Sequence, residues 1–223
     1  MFVLEGDGLD VYLLRDFLSS EECAALIKYV EADNAPSTVM GDPGDDQFRT
    51  SHSSPLAGRD DPLIASVDAR IAELTGIDRK FQENIEGQRY HVGQQFKLHS
   101  DCFFSNQDYW PLQKFIGGQR TWTVMICLNQ PVAGGGTLFP HAGMRIKPRA
   151  GNLIAWCNVH SNGEPNPAAM HCGEPVTKGV KYILTKWHRE RPFRLLPTDR
   201  PRLTIRLMKR RSGLREDGAD RAA

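Results

Sequence analysis

Lys97-Leu98-His99-Ser100-Asp101 is the stretch on which the reading of this chain turns. Alternate residues of a β-strand face the same side. As a strand, the stretch therefore points His99 and Asp101 together into the mouth of a barrel. A second histidine stands far downstream in His171-Cys172-Gly173-Glu174-Pro175-Val176. Two imidazoles and one carboxylate form a facial triad, which suits non-haem Fe(II) and leaves coordination positions open. His171 must then arrive on a different strand, because a third ligand on the same strand is poorly placed for a facial arrangement. Read alone, the short His-x-Asp pattern also fits an ordinary strand histidine and a loop histidine.

The surrounding sequence supplies the strands. From residue 78 onward, short β-like runs are divided by Gly, Pro and Asn: Gln88–His91, Thr121–Leu128, Gly136–Phe139, Leu153–Cys157 and Val180–Trp187. Many short strands with Gly-rich turns predict a sandwich or jelly roll. The expected fold is mainly β within an α+β chain, a double-stranded β-helix (jelly roll) with N-terminal supporting helices.

Residues 1–77 are read as a helical and loop segment packing on that core, which spans 78–197. Ser19-Ser20-Glu21-Glu22 is a capping box, followed by Cys23, Leu26, Ile27 and Val30 at helical spacing. A second helix is predicted from Asp61, with Pro62 at its first position. Leu63, Ile64, Val67, Ile71 and Leu74 form its apolar stripe, and Gly76 ends it. Between the two, Ala35–Arg59 is rich in Pro, Gly, Asp and Ser and reads as a mobile loop of the kind that closes over sites. Residues 198–223 form a basic tail with Arg200, Arg202, Arg206, Lys209, Arg210 and Arg211. In it Leu203, Ile205 and Leu207 alternate with polar residues and allow one more strand, with disorder expected after Ser212.

The 223 residues fit one domain overall. A net charge of +1 gives no general attraction to nucleic acid or membrane, and neither is expected as a partner. The first residues lack a basic stretch followed by an apolar run, so no signal peptide is expected. Five scattered cysteines with no Cys-x-x-Cys pair argue against structural zinc and a disulfide framework. A cytoplasmic setting is the expectation.

Three further residues extend the candidate site. Lys181 lies in Gly179-Val180-Lys181-Tyr182-Ile183-Leu184, where a strand can turn it inward. An interior lysine calls for an anionic partner, although taken alone Lys181 also fits a solvated surface charge. Tyr90 can donate a phenol proton to a carboxylate, and Thr137 can supply a small hydroxyl. Their plainer readings are a core or rim tyrosine and a strand residue after a turn.

With these residues in place, the chain resembles the prolyl 4-hydroxylase group of Fe(II)/2-oxoglutarate dioxygenases. The likeness runs from about Val11 to about Phe193. Its carrying segments are Asp16–Cys23, Arg49-Thr50-Ser51, Tyr90–Asp101, Gly117-Gly118-Gln119-Arg120, Gly135–Pro140 and His171–Trp187. The resemblance implies that His99, Asp101 and His171 are iron ligands. It implies that Lys181 binds the C5 carboxylate of 2-oxoglutarate with Tyr90 and Thr137 assisting, and that Arg120 and Trp187 line the substrate groove. Fe(II), 2-oxoglutarate and O2 are the implied cofactors and co-substrates, with ascorbate as a candidate addition. The implied reaction is hydroxylation of an unactivated C–H bond with release of succinate and carbon dioxide. Asp101 argues against halogenation, since related halogenases leave that ligand position to halide.

Two departures bear on substrate. Peptide-acting members often carry Trp-x-His near the end of the last strand, whereas here Trp187-His188-Arg189 puts Arg189 at that groove position. Ser100 and Cys102 flank Asp101 where those members often have aromatics. The leading expectation is a peptidyl proline on a protein. A free amino acid or other small molecule is the alternative, and a metal-binding module without turnover the remoter one.

Overall fold

Ser19 opens the first helix as its sequence predicts: its hydroxyl accepts from the Glu22 N–H, and the Glu22 carboxylate accepts from the Ser19 N–H. Asp61 caps the second helix by accepting from the Leu63 and Ile64 N–H groups, and Gly76 ends it at φ 66°. The computed structural model describes residues 1–41, 44–56 and 61–194. In chain order the elements begin β1 (Phe2–Gly6), β2 (Leu9–Leu14), α1 (Ser20–Ala32), β3 (Ala35–Pro36), β4 (His52–Pro55) and α2 (Pro62–Thr75). There follow β5 (Glu86–Tyr90), β6 (Phe96–His99), α3 (Trp110–Ile116), β7 (Arg120–Cys127), β8 (Ala133–Gly134) and β9 (Thr137–Phe139). The last are β10 (Met144–Ile146), β11 (Leu153–Cys157), β12 (His171–Gly173), β13 (Val176–Lys178) and β14 (Lys181–Arg189).

These strands build a double-stranded β-helix. The large sheet runs β1-β2-β11-β7-β14-β5-β4-β3 and the smaller one β10-β9-β12-β6, with β13-β8 as a separate pair. One apolar cluster fills the space between the two sheets, with Val11, Ile154, Trp156 and Ile183 meeting Phe139. A second lies between the large sheet and the helices, where Leu26 and Val30 of α1 and Val67 and Ile71 of α2 cover Val124, Ile126 and Leu184. Each such side chain stabilises the fold by roughly 1.5–3 kcal/mol through burial. Leu74, read as part of the α2 stripe, is instead 38% exposed. Among the described residues, no helix is long and apolar enough to cross a membrane.

The first 77 residues do more than the helical reading allows, since β1–β4 all join the large sheet. The signal was present: Gly6 pairs with Leu9 across Asp7-Gly8, a two-residue hairpin turn with Gly8 at φ 70°. The 35–59 stretch is likewise not all loop, because β3 and β4 lie within it and β4 pairs with β5; its Arg59 lies outside the described residues. Helix α3 was not foreseen, having no side-chain cap and only seven residues. The basic tail, 198–223, lies outside the described residues.

Gly87 of β5 faces Val30 of α1 with no room for a Cβ atom between them. Gly87→Ala is expected to lower the unfolding free energy by about 1–3 kcal/mol through overpacking. Chemical denaturation measures this, and an unchanged midpoint would show that helix and strand part freely.

Candidate metal centre and adjoining cavities

The register of the small sheet assembles the centre. His99 ends β6 and His171 begins β12, and the two are direct antiparallel partners, so the imidazoles lie side by side with ring centroids 4.3 Å apart. Asp101 follows β6 at a bend rather than inside the strand, a difference from the strand reading. The bend still brings its carboxylate back: Oδ1 lies 3.8 Å from His99 Nε2 and Oδ2 3.9 Å from His171 Nε2. All three donor atoms fall within 4.8 Å of one another.

The protonation pattern suits a divalent cation. His99 Nδ1 lies 2.7 Å from the Lys97 carbonyl and His171 Nδ1 3.0 Å from the Ala169 carbonyl. A carbonyl can only accept, so each Nδ1 carries a proton, and each Nε2 is the ring nitrogen turned toward the carboxylate. Burial, aided by the neighbouring His171, pushes His99 down to about 3, so its ring is neutral at physiological pH. Burial works against the Asp101 charge, but His171, His99 and Arg120 outweigh it and hold the carboxyl below its usual range. The donor set is two imidazoles and one carboxylate, which fits Fe(II).

Neighbours fix these groups in place. Phe96 stacks on His99 at 3.5 Å between ring centroids, and Trp156 meets His171 edge-on at 4.9 Å. Thr123 Oγ1 donates to Asp101 Oδ2 at 2.6 Å and accepts from Asn158 Nδ2 at 2.8 Å. The Asn158 bond leaves the Thr123 proton free to point at the carboxylate. Sequence reasoning missed Thr123, yet strand parity could have found it. It pairs with Trp187, a groove candidate, on the adjacent strand.

A narrow pocket opens beside the three donors, lined also by Tyr90, Thr137, Lys181 and Trp187. Lys181 is 2% exposed, and among the described residues no carboxylate pairs with it. Its ammonium lies 5.3 Å from the Tyr90 ring centroid, and burial pushes its pKa down. The Tyr90 hydroxyl donates to Gln88 Oε1 at 2.7 Å, and among the described residues the Thr137 hydroxyl has only Met125 Sδ at 4.0 Å. His141 and His160 are exposed and outside this group. Cys102 is a space-filling thiol donating to the Asn158 carbonyl at 2.9 Å, with burial pushing its pKa up to about 12.

A larger groove of about 640 Å³ adjoins the pocket, sharing His99, Asp101 and Trp187. Residues 35–41 form one wall, and Phe103, Phe104 and Tyr109 another. Its charges are matched. Arg49 pairs with Glu86 at 2.9 Å, and Arg120 grips Glu83 through Nε and Nη2 at 2.7 and 2.8 Å. The Arg120 guanidinium lies over the Trp187 ring at 3.9 Å.

Comparison with known proteins agrees with this construction. Residues 85–189 match the sequence model of the 2OG-Fe(II) oxygenase superfamily. A probable prolyl 4-hydroxylase 6 of Arabidopsis thaliana is 31% identical over 205 residues, covering 82% of this chain and 69% of that protein. The prolyl 4-hydroxylase subunit alpha-1 of Rattus norvegicus is 34% identical over 146 residues, 65% of this chain; the matched part spans only 27% of the subunit. Among solved structures, the viral collagen prolyl hydroxylase of Paramecium bursaria Chlorella virus-1, in its 2OG complex, superposes with a TM-score of 0.64 at 24% identity. That match covers 80% of this chain and 95% of the viral one, and it speaks to the fold. The chain belongs to the 2OG-Fe(II) oxygenase superfamily, among its prolyl 4-hydroxylase-like members. It is accordingly a 2-oxoglutarate-dependent dioxygenase, and enzymes of this family use Fe(II), 2-oxoglutarate and O2.

Thr123→Val removes the donor to Asp101 while keeping its bulk. It is expected to weaken Fe(II) or Co(II) affinity roughly 10- to 100-fold, as loss of a supporting hydrogen bond to a ligand commonly does. Anaerobic calorimetric titration reads this out, and wild-type affinity would remove Thr123 from the centre.

Proposed function

We propose that His99, Asp101 and His171 hold Fe(II), and that Lys181, assisted by Tyr90 and Thr137, holds the distal carboxylate of 2-oxoglutarate. We further propose that the groove over Arg120 and Trp187 presents a proline-containing peptide segment for hydroxylation. One observation carries this reading. Three metal-type donor atoms within 4.8 Å share a pocket with a buried lysine that has no carboxylate partner among the described residues.

When bound, the iron, with 2-oxoglutarate and dioxygen, supplies an oxidant able to break an unactivated C–H bond, leaving succinate and carbon dioxide as co-products. The protein's own residues do the positioning. Lys181 offers a desolvated cation to a dicarboxylate entering a pocket lined also by Met125, Trp156, Ile183 and the hydroxyl-bearing Thr137 and Thr185. Thr137 has a hydroxyl to spare for the same carboxylate. Tyr90 already donates to Gln88, so its share is packing alongside the lysine unless that bond is exchanged.

The groove favours a peptide. A free amino acid brings a carboxylate and an ammonium that need partners once out of water. Arg49 and Glu86 are already paired with each other, and Arg120 with Glu83. A peptide segment brings neutral amides, and aromatic walls suit proline rings. The small-molecule alternative draws on one observation: Arg120 Nη1 has no partner among the described residues and faces a carboxylate or a peptide carbonyl equally well. All five cysteines are free, which supports a reducing, cytoplasmic setting. Ascorbate remains a candidate addition to the assay.

Fe(II)-dependent succinate release, stimulated by proline-rich peptides that gain one oxygen on proline by mass spectrometry, tests the reading. Stimulation by free amino acids alone would overturn the peptide assignment. Lys181→Ala is expected to raise the 2-oxoglutarate concentration needed for half-maximal turnover by about 100-fold, the scale of a lost buried charge pair. Metal affinity should stay at wild type. Equal loss of both would place Lys181 in the metal centre instead.

A further inference from the structure

Arg189 stands in the groove position where the sequence departs from peptide-acting relatives, yet its side chain does not reach the groove. Its side chain is 1% exposed, with two nitrogens hydrogen-bonded and the third in ion-pair contact. Nη1 donates to the Gly118 carbonyl at 2.5 Å, Nη2 donates to Gln113 Oε1 at 2.8 Å, and Nε lies 2.5 Å from Glu83 Oε1. Its guanidinium also covers Phe103 at 4.6 Å.

The sheet register makes this arrangement necessary. Arg189 and Arg120 are cross-strand partners at the irregular end of the β14–β7 pairing. Like charges directly opposite each other destabilise a sheet, and here Glu83 stands between them, touching both. The Glu83 backbone is fastened as well, its N–H donating to the Trp187 carbonyl at 2.8 Å. One carboxylate thus ties Arg120 to Arg189, and Arg189 ties that carboxylate to α3 through the buried Gln113 and to the turn at Gly118. Arg120 in turn sits over the Trp187 ring and also over Phe103, at 5.0 Å. Trp187 and Phe103 are groove walls.

We propose that Arg189 is a positioning residue for substrate. Through Glu83 it sets the guanidinium of Arg120 on Trp187, and through Gln113 and Gly118 it fixes the α3 wall of the groove, so that it governs how tightly an extended peptide is held without touching it. This rests on the peptide reading above. None of its contacts reaches His99, Asp101, His171 or Lys181, so iron and 2-oxoglutarate handling are independent of it.

The test compares Arg189→Met, Arg189→Lys and Glu83→Gln with wild type, using poly(L-proline) as the peptide probe. R189M and E83Q are expected to raise KM for the probe by about tenfold, an effect carried by positioning rather than by the reacting groups. kcat and the KM for 2-oxoglutarate should stay within about twofold of wild type, while R189K recovers part of the loss by keeping the charge. The double variant should be no worse than the worse single, because both break one unit. Acrylamide quenching of Trp187, isolated by difference from a Trp187→Phe reference among the four tryptophans, should rise in R189M and E83Q without any substrate present. The proposal is overturned if folded R189M keeps wild-type KM and Trp187 quenching, or if kcat and 2-oxoglutarate KM move together with it. Should R189M fail to fold, R189K and E83Q carry the same comparison. A wild-type enzyme inactive on poly(L-proline) would count against the peptide reading, while the quenching comparison would still decide the role of Arg189.

Discussion

The pairing of β14 with β5 on one side and β7 on the other is the constraint from which the site follows. All nine residues of β14 are buried, so each face of the strand must be matched by what covers it. Tyr182 and Leu184 face the helices, while Lys181, Ile183, Thr185 and Trp187 face the pocket. Register then sets the neighbours: Lys181 opposes Tyr90, and Trp187 opposes Thr123. A slip of one residue would send every pocket-facing side chain to the helix side, removing the buried lysine and the groove tryptophan together. The small sheet needs only to bring His99 and His171 into register, and Asp101 is drawn in by Thr123 from the large sheet.

Legibility in the sequence tracked how local each determinant is. The capping box at Ser19, the Pro62 start and the Gly76 stop of α2 are written in adjacent residues, and the structure places them there. The boundaries of β11 were read to the residue, because an apolar run between Asn152 and Asn158 leaves little choice. The N-terminal hairpin was missed although Asp7-Gly8 marks its turn, since Phe2, Val3 and the edge they form are half exposed and lack a clear alternation of burial. In the site, the three donors and Lys181 were legible from motif and strand parity, whereas Arg120 and Trp187 came only from the family resemblance, and the structure sets both in the lining of the groove. Glu83 was not, because nothing in Gln82-Glu83-Asn84 foretells that it will meet two arginines from strands far along the chain. The resemblance placed Arg189 in the groove, whereas the structure turns it behind the wall, a distinction that only tertiary packing decides.

The same packing gives the groove its character. On the peptide reading proposed above, aromatic walls with charges tied off in pairs disfavour ions that cannot bring their own partners and leave amides and prolyl rings at little disadvantage. Arg120, with Nη1 unpartnered among the described residues, keeps one polar group in the groove lining. Specificity of this kind comes from the penalty against the wrong ligand as much as from attraction to the right one.

Two lysines of β14 show how the fold separates structural charge from functional charge. Lys186 and Lys181 are both buried, at 3% and 2% exposure, on opposite faces of one strand. Lys186 turns toward α2 and pairs with Asp68, which also takes Arg79 at 2.5 Å, so its charge is satisfied by the fold itself. Lys181 turns toward the pocket and meets no carboxylate among the described residues. A buried, unpaired ammonium costs several kcal/mol, and a core of this kind would be more stable with an apolar residue at that place. On the function proposed above, that cost is offset when an anion enters the pocket that Lys181 shares with the two imidazoles and the carboxylate. A lysine placed there couples occupancy of the metal centre's open side to relief of its own desolvation, which is the arrangement expected of a site that must hold a dicarboxylate beside a cation.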